Sequence, residues 1–184
     1  QRTARAVGLR PHVEQAFERD RVTIDFAGFS GETLAGALQE PLDKIRIGRL
    51  TPDSITLRVL LPDLSVPVGL PALASTAADN ERVRARVSHI SDRASGALAD
   101  ALHELAELDL VQAASLEVRT FGTSPLFKLV VINAEEVFFG FYPVVEHKVL
   151  IDGEPTAILD PMGKDAILFI SPRARTTPRP APST

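Results

Sequence analysis

The chain has 184 residues, a mass of 19.9 kDa and a formal net charge of −4. This length suits one domain with a buried core, and the acidic balance excludes binding to nucleic acid or anionic membranes through bulk positive charge. The chain has no cysteine, which excludes disulfides and thiol chemistry and predicts a cytoplasmic protein, and no apolar run approaches the roughly 20 residues that cross a bilayer.

The first third of the chain alternates helices and strands. A short helix is predicted over residues 11–20, since Pro11 suits a first turn. Residues 22–27 and 54–61 are rich in β-branched and apolar side chains, which predicts two strands. Between them, residues 28–31 form a turn, and Ser30 is expected to start a helix with one apolar face.

The remainder is one long helical pattern followed by strands. Residues 62–76 are expected to be irregular, and residues 79–108 to form one helix or two helices that meet near Gly96. Strands are predicted at residues 115–121, 127–132, 137–144, 149–152, 156–159 and 166–170, with hairpin turns at residues 133–136 and at Asp152-Gly153. The fold class expected from this order is an α/β sandwich with a mixed β-sheet flanked by helices.

Three segments are predicted. Residues 1–20 are interpreted as an N-terminal linker and helix, and residues 21–171 as the α/β domain. Residues 172–184 are rich in proline and are expected to be disordered, because they cannot bury enough apolar surface to offset their ordering entropy. A chain that starts with Gln1 instead of Met is also expected to be a piece of a longer protein.

The stretch Leu126-Phe127-Lys128-Leu129-Val130-Val131-Ile132-Asn133, with Gly140 beyond it, resembles the catalytic signature of the phospholipase D superfamily. That signature has a His, a Lys two residues on, an Asp five further, and a nearby Gly-Ser pair. Lys128 holds the Lys place, Asn133 the Asp place and Gly140-Phe141 the Gly-Ser place, but Leu126 stands where the nucleophilic His belongs. Leucine has no lone pair with which to attack phosphorus. The resemblance, which spans about residues 22–140, therefore implies a phospholipase D-like half without its reaction.

Lys128 is the first candidate ligand-binding residue. A lysine within an apolar strand is costly to bury unless it meets an anion, and the resemblance implies a retained phosphate site. A lysine on a solvated face of the sheet is the alternative. Tyr142 and Gly140 share a strand face that would border such a site. Phe29 and Ser30 precede a helix N-terminus, whose amide groups suit an anion.

Asn133 completes the predicted set, although it also suits a turn, where asparagine tolerates left-handed backbone geometry. His147 is interpreted as a histidine on a surface strand, because its spacing matches nothing in the signature. The histidines show no metal-ligand spacing, so no metal and no cofactor are predicted. If a ligand site is retained, Lys128, Tyr142 and the turn at residues 28–31 should meet in one cleft.

The arrangement is similar to winged-helix bacterial transcription regulators of the GntR type, which carry a degenerate phospholipase D-like module after the DNA-binding domain. This similarity implies a catalytically inactive effector-binding or sensor domain. Its partner would be a small anionic effector, and DNA would be contacted only through a missing N-terminal domain. One alternative is a phosphodiesterase or nuclease of the superfamily, which needs two signature copies. The other is a ligand-free dimerisation module, a homodimer with apolar side chains packed beside Lys128.

Overall fold

The computed structural model describes residues 2–172, which form eleven strands and three α-helices. The helices are α1 (Arg10–Ala16), α2 (Glu32–Arg46) and α3 (Glu81–Glu107). The strands, in chain order, are β1 (Arg2–Arg5), β2 (Arg21–Ala27), β3 (Ser54–Pro62), β4 (Ala72–Leu73), β5 (Ala78–Asp79), β6 (Ala113–Phe121), β7 (Phe127–Ile132), β8 (Glu136–Phe141), β9 (Val144–Ile151), β10 (Glu154–Pro161) and β11 (Ile167–Pro172).

The main sheet has seven strands in the order β1-β11-β8-β7-β2-β3-β6. The β2–β3 and β3–β6 pairs are parallel, while β2–β7, β7–β8, β8–β11 and β1–β11 are antiparallel. The sheet is therefore mixed, with helices α2 and α3 in the two parallel crossovers. The predicted fold class, an α/β sandwich with a mixed sheet, is confirmed.

The core lies between one face of this sheet and the helices. The apolar face predicted for α2 is buried there, at Leu34, Ala37, Leu38 and Leu42, against alternate residues of β2 and β3. Helix α3 is a single helix, since its chain passes through Gly96 without a break. Its first turn is capped by Asn80, whose side chain accepts hydrogen bonds from the N–H groups of Arg82 and Val83.

A second sheet, in the order β5-β4-β10-β9, packs against the start of α3. Its long hairpin turns at Asp152-Gly153, as predicted, with both residues in the left-handed region at φ 52° and 84°. Such a two-residue turn matches the natural twist of the flanking strands and fixes the β9–β10 register. The short strands β4 and β5 lie partly in the segment that was expected to be irregular.

One sequence-based expectation about α2 is wrong. Ser30 does not cap this helix, because Gly31 occupies the N-cap position. Strand β6 lies at an edge of the main sheet, and its Val118 is exposed. In β7, only the side chains that face the helices are buried.

Residues before the predicted boundary at residue 21 share the core of the main domain. Leu9, Val13 and Phe17 are buried in it, and β1 pairs with β11. Most of the predicted Pro-rich tail, residues 173–184, lies outside the described residues. Within residues 2–172, no helix combines the length and apolar character needed to span a membrane.

Candidate functional site

A cleft of about 450 Å³ opens where β2 ends and α2 begins. The start of β7, the residue after β8, the first part of α3 and the end of β10 also line it. Four of the residues chosen from the sequence line it: Lys128, Tyr142, Phe29 and Ser30. The predicted convergence of Lys128, Tyr142 and the turn at residues 28–31 on one cleft is therefore confirmed. The β2–β7 register explains it, because Ala27 at the end of β2 faces Leu129 near the start of β7.

Lys128 is the most buried charged residue of the cleft, with 1% of its surface exposed. Its Nζ donates to Thr33 Oγ1 and to the carbonyl oxygen of Gly163, each at 2.9 Å. Among the described residues, no carboxylate oxygen lies within the 4.0 Å that would make an ion pair with it. Burial lowers the pKa of Lys128 to about 8, since removal from water disfavours the charged form. The alternative of a lysine on a solvated face is thereby excluded.

Tyr142 lies beside Lys128 in the cleft and contacts it through its ring. Its ring centroid is 5.7 Å from Lys128 Nζ, within the range of a cation–π contact. Its hydroxyl accepts a hydrogen bond of 3.0 Å from the N–H group of Phe29, which ties β8 to the turn before α2. Burial raises the pKa of Tyr142, so this hydroxyl stays neutral.

The N-terminus of α2 forms another wall of the cleft. Gly31 lies at the N-cap with φ 74°, a left-handed geometry that glycine adopts without steric cost. A glycine has no side chain to cap the first turn, and no other side chain in residues 8–171 does so. The uncapped N–H groups and the helix dipole create a partial positive charge there.

Three further cations, Arg10, Arg86 and Lys164, border the same space. None of the three forms an ion pair with a residue that the structure describes. By contrast, Arg46, Arg58, Arg82, Arg84 and Arg119 each pair with a carboxylate elsewhere. The cleft thus gathers four unpaired cations against two carboxylates, Glu32 and Asp160, in a chain whose net charge is −4.

The cleft residues that the sequence reasoning missed include a paired histidine and aspartate, His147 and Asp160. His147 was interpreted as a surface histidine, but it lines the cleft with its Nε2 3.0 Å from Asp160 Oδ2. The signal that could have found the pair was the turn at Asp152-Gly153. If β9 and β10 pair residue by residue away from this turn, His147 lies opposite Ile158. His147 is then the diagonal neighbour of Asp160 on the same face of the hairpin.

The other signature positions do not reach the cleft. Asn133 lies at the far end of β7, where it has φ 49° and its Oδ1 accepts from the N–H group of Thr23 at 2.8 Å. Gly140 pairs with Lys128 between β7 and β8, but it does not line the cleft. Its small size lets strand β11 approach closely, because an added Cβ would lie 2.1 Å from the carbonyl oxygen of Ile167. Leu126, in the nucleophile place, is 62% exposed and borders a different groove.

The cleft contains no obvious metal site: no group of three or more metal-binding side chains occurs in the described part of the chain. Comparison with known proteins yields no match to a family model, to a curated protein or to a solved structure. Function is therefore inferred from the cleft itself and from the sequence resemblance.

Proposed function

We propose that this domain binds a small anionic effector in the cleft without transforming it, as the sensor domain of a bacterial transcription regulator. The observation that carries the proposal is the buried ammonium of Lys128, which borders open space and has no carboxylate partner among the residues that the structure describes. A protonated lysine has three N–H donors, and Thr33 and Gly163 accept two of them. The third donor is left for a ligand.

The electrostatics of the cleft support an anion specifically. A desolvated cation gains most from a charge-assisted hydrogen bond, because the surrounding dielectric is low. The uncapped first turn of α2 offers backbone N–H groups on the same wall, which is the usual geometry of a phosphate or carboxylate site. Arg86, Arg10 and Lys164 add positive charge at the margin.

What supports the absence of catalysis is the position of Leu126, outside the cleft and without a nucleophilic atom. What supports a role in transcription regulation is the sequence resemblance alone. On this proposal DNA is bound by another domain, and the effector changes the population of conformations that the regulator adopts.

Thermal unfolding with inorganic phosphate, methyl phosphate or acetate, at constant ionic strength, tests the proposal. A probe present at a hundred times its Kd should stabilise the fold by about 2.7 kcal/mol and raise the Tm by roughly 5–10 °C. The variant Lys128→Met should lose this shift. Lys148→Met, which changes an exposed lysine outside the cleft, should keep it. Equal shifts in wild type and Lys128→Met would refute the proposal.

The cleft beside Lys128 is open, which does not fit the ligand-free alternative. A homodimer is nevertheless favoured by a separate observation, an apolar sheet face that none of the described helices covers. Phe127, Phe141, Ile167 and Phe169 are exposed on it, and Phe139 contacts the rings of Phe127 and Phe141 at centroid distances of 5.5 and 5.3 Å. Two pairs of its charged side chains neutralise each other, Asp25 with Arg58 and Glu117 with Arg119, which reduces the repulsion between two identical faces. We propose a second copy of this chain as its occupant. The oligomeric state in solution tests this.

A further inference from the structure

We infer that the ligand of the cleft carries a hydrogen-bond donor, an amine or a hydroxyl, in addition to its acid group, and that Asp160 binds that donor. The inference rests on the proposed function, since it extends the chemistry of the same cleft. It predicts an amino acid, a hydroxy acid or an aminoalkyl phosphate and disfavours a simple anion.

Asp160 is the observation behind it. The residue is 8% exposed and lines the cleft near the end of β10. One of its oxygens, Oδ2, is 3.0 Å from His147 Nε2. The other, Oδ1, is buried and has no hydrogen-bond partner among the residues described. A buried carboxylate oxygen without a donor is costly, so such an atom usually meets a group from outside the chain.

Asp160 is not the counterion of Lys128. No ion pair within 4.0 Å joins them, and Lys128 donates to neutral oxygens instead. Both nevertheless line one cleft of about 450 Å³. A plain anion would satisfy Lys128 and the α2 N-terminus, but it would be repelled by Asp160. A ligand with an acid group at one end and a donor at the other satisfies both.

His147 has a positioning role in this arrangement. Its Nε2 lies 3.0 Å from Oδ2, and the tautomer with a proton on Nε2 donates to that oxygen and holds the carboxylate in place, which leaves Oδ1 as the acceptor for the ligand. The two residues are held by the β9–β10 pairing, because His147 faces Ile158, two residues from Asp160. Paired strands, and not a loop, therefore position both side chains of the donor site.

Two pairs of probes that differ by one amine test the inference on the intact protein by calorimetry: O-phosphoethanolamine against ethyl phosphate, and β-alanine against propionate. The amine-bearing member of at least one pair should bind about tenfold more tightly or better, the value of one charge-assisted hydrogen bond. Asp160→Asn should abolish that ratio while it preserves or improves binding of the simple anion. Asp165→Asn removes the same charge from an exposed position outside the cleft and should leave the ratio unchanged.

The two proposals fail in different ways. If ethyl phosphate and propionate bind at Lys128 but the amine adds nothing in either pair, only the donor inference is overturned, and water satisfies Asp160 Oδ1. If no probe binds and Lys128→Met changes nothing, the anion site itself is refuted and this inference with it. The wild-type ratio requires no variant, so the test stands even if Asp160→Asn fails to fold.

Discussion

Lys128 is a desolvated cation held by neutral oxygens, and its protonation should control part of the pH dependence of stability. In the unfolded chain its pKa is near 10.5, whereas burial lowers it to about 8 in the folded protein. Between these values the unfolded state binds more protons, so this residue makes stability rise with pH. The free-energy cost of burying the charged lysine is fully present below pH 8 and decreases as the pH approaches 10.5.

Replacing Lys128 with methionine should remove the free-energy cost of burying its charge. Lys128→Met keeps most of the volume and removes the buried charge, so the variant should unfold with a free energy equal to or above that of wild type at pH 7. A pKa difference between 10.5 and about 8 corresponds to at most about 3 kcal/mol. The advantage of the variant should shrink steadily between pH 8 and 10.5 in denaturant titrations.

The matched control is Lys148→Met, at an exposed lysine of β9. Its difference from wild type should be small and nearly constant over the same pH range. A pH-independent difference for Lys128→Met would mean that the lysine is not desolvated in solution.

Lys128 could be chosen as a candidate from the sequence, because it is a charged residue within an otherwise apolar strand. It could not show which face of β7 the helices cover, and that decides whether the lysine is buried. For Asn133, residue type alone predicted the left-handed turn geometry. In the structure its side chain joins the β7–β8 turn to the backbone of Thr23. Assigning it to the ligand site came from the family spacing, which the cleft does not reproduce.

The contact between strands β8 and β11 depends on Gly140. An added Cβ on Gly140 would lie 2.1 Å from the carbonyl oxygen of Ile167, a backbone atom that cannot rotate away. Glycine is therefore required by the close approach of a neighbouring strand, which sits beside the cleft wall formed by Tyr142.

Gly140→Ala should accordingly destabilise the protein by about 3 kcal/mol or more. Gly96→Ala is the matched control, because Gly96 lies within α3 and nothing occupies the 4 Å around its added Cβ. That change should stabilise the protein by about 0.5–1 kcal/mol, the usual gain of alanine over glycine in a helix. Chemical denaturation of both variants measures the pair, and equal effects would contradict the tight β8–β11 contact.

At the scale of the whole molecule, the helices within residues 2–172 cover only one face of the main sheet. Apolar faces of sheets are normally buried against another layer, yet here four exposed side chains surround Phe139 on the uncovered side. A patch of this kind is typical of a protein–protein interface. Two identical faces packed together would form a β-sandwich between copies.

Analytical ultracentrifugation should therefore show a dimer at micromolar concentration, and Phe141→Glu should convert it to a monomer that stays folded. Leu150→Glu is the control, since Leu150 is 67% exposed and Phe141 64%, but Leu150 lies in the other sheet. It should leave the dimer intact. A wild-type monomer at 100 µM would refute the second copy as the occupant of the face.

The sequence by itself determined the fold class and most of the elements, although not the strands β1, β4 and β5. Alternation of apolar residues in β2 and β3 and the apolar stripe of α2 follow from local periodicity, and the Asp152-Gly153 turn follows from residue type. These features depend on neighbours along the chain, so local patterns were sufficient to predict them. The meeting of Lys128, Tyr142 and the turn before α2 was predicted from the family resemblance, in which strand-end turns and the signature hairpin lie together, and the cleft confirms it.

Only the tertiary structure decided which further residues join that cleft and which face of the sheet is buried. The long-range register of β9 and β10 joined His147 to Asp160, and the position of the helices buried Lys128 while leaving Phe127 and Phe141 exposed. Strands β7 and β8 are apolar on both faces, so their sequences cannot tell the covered face from the open one. That choice depends on where α1, α2 and α3 pack, which is a property of contacts between residues distant in sequence.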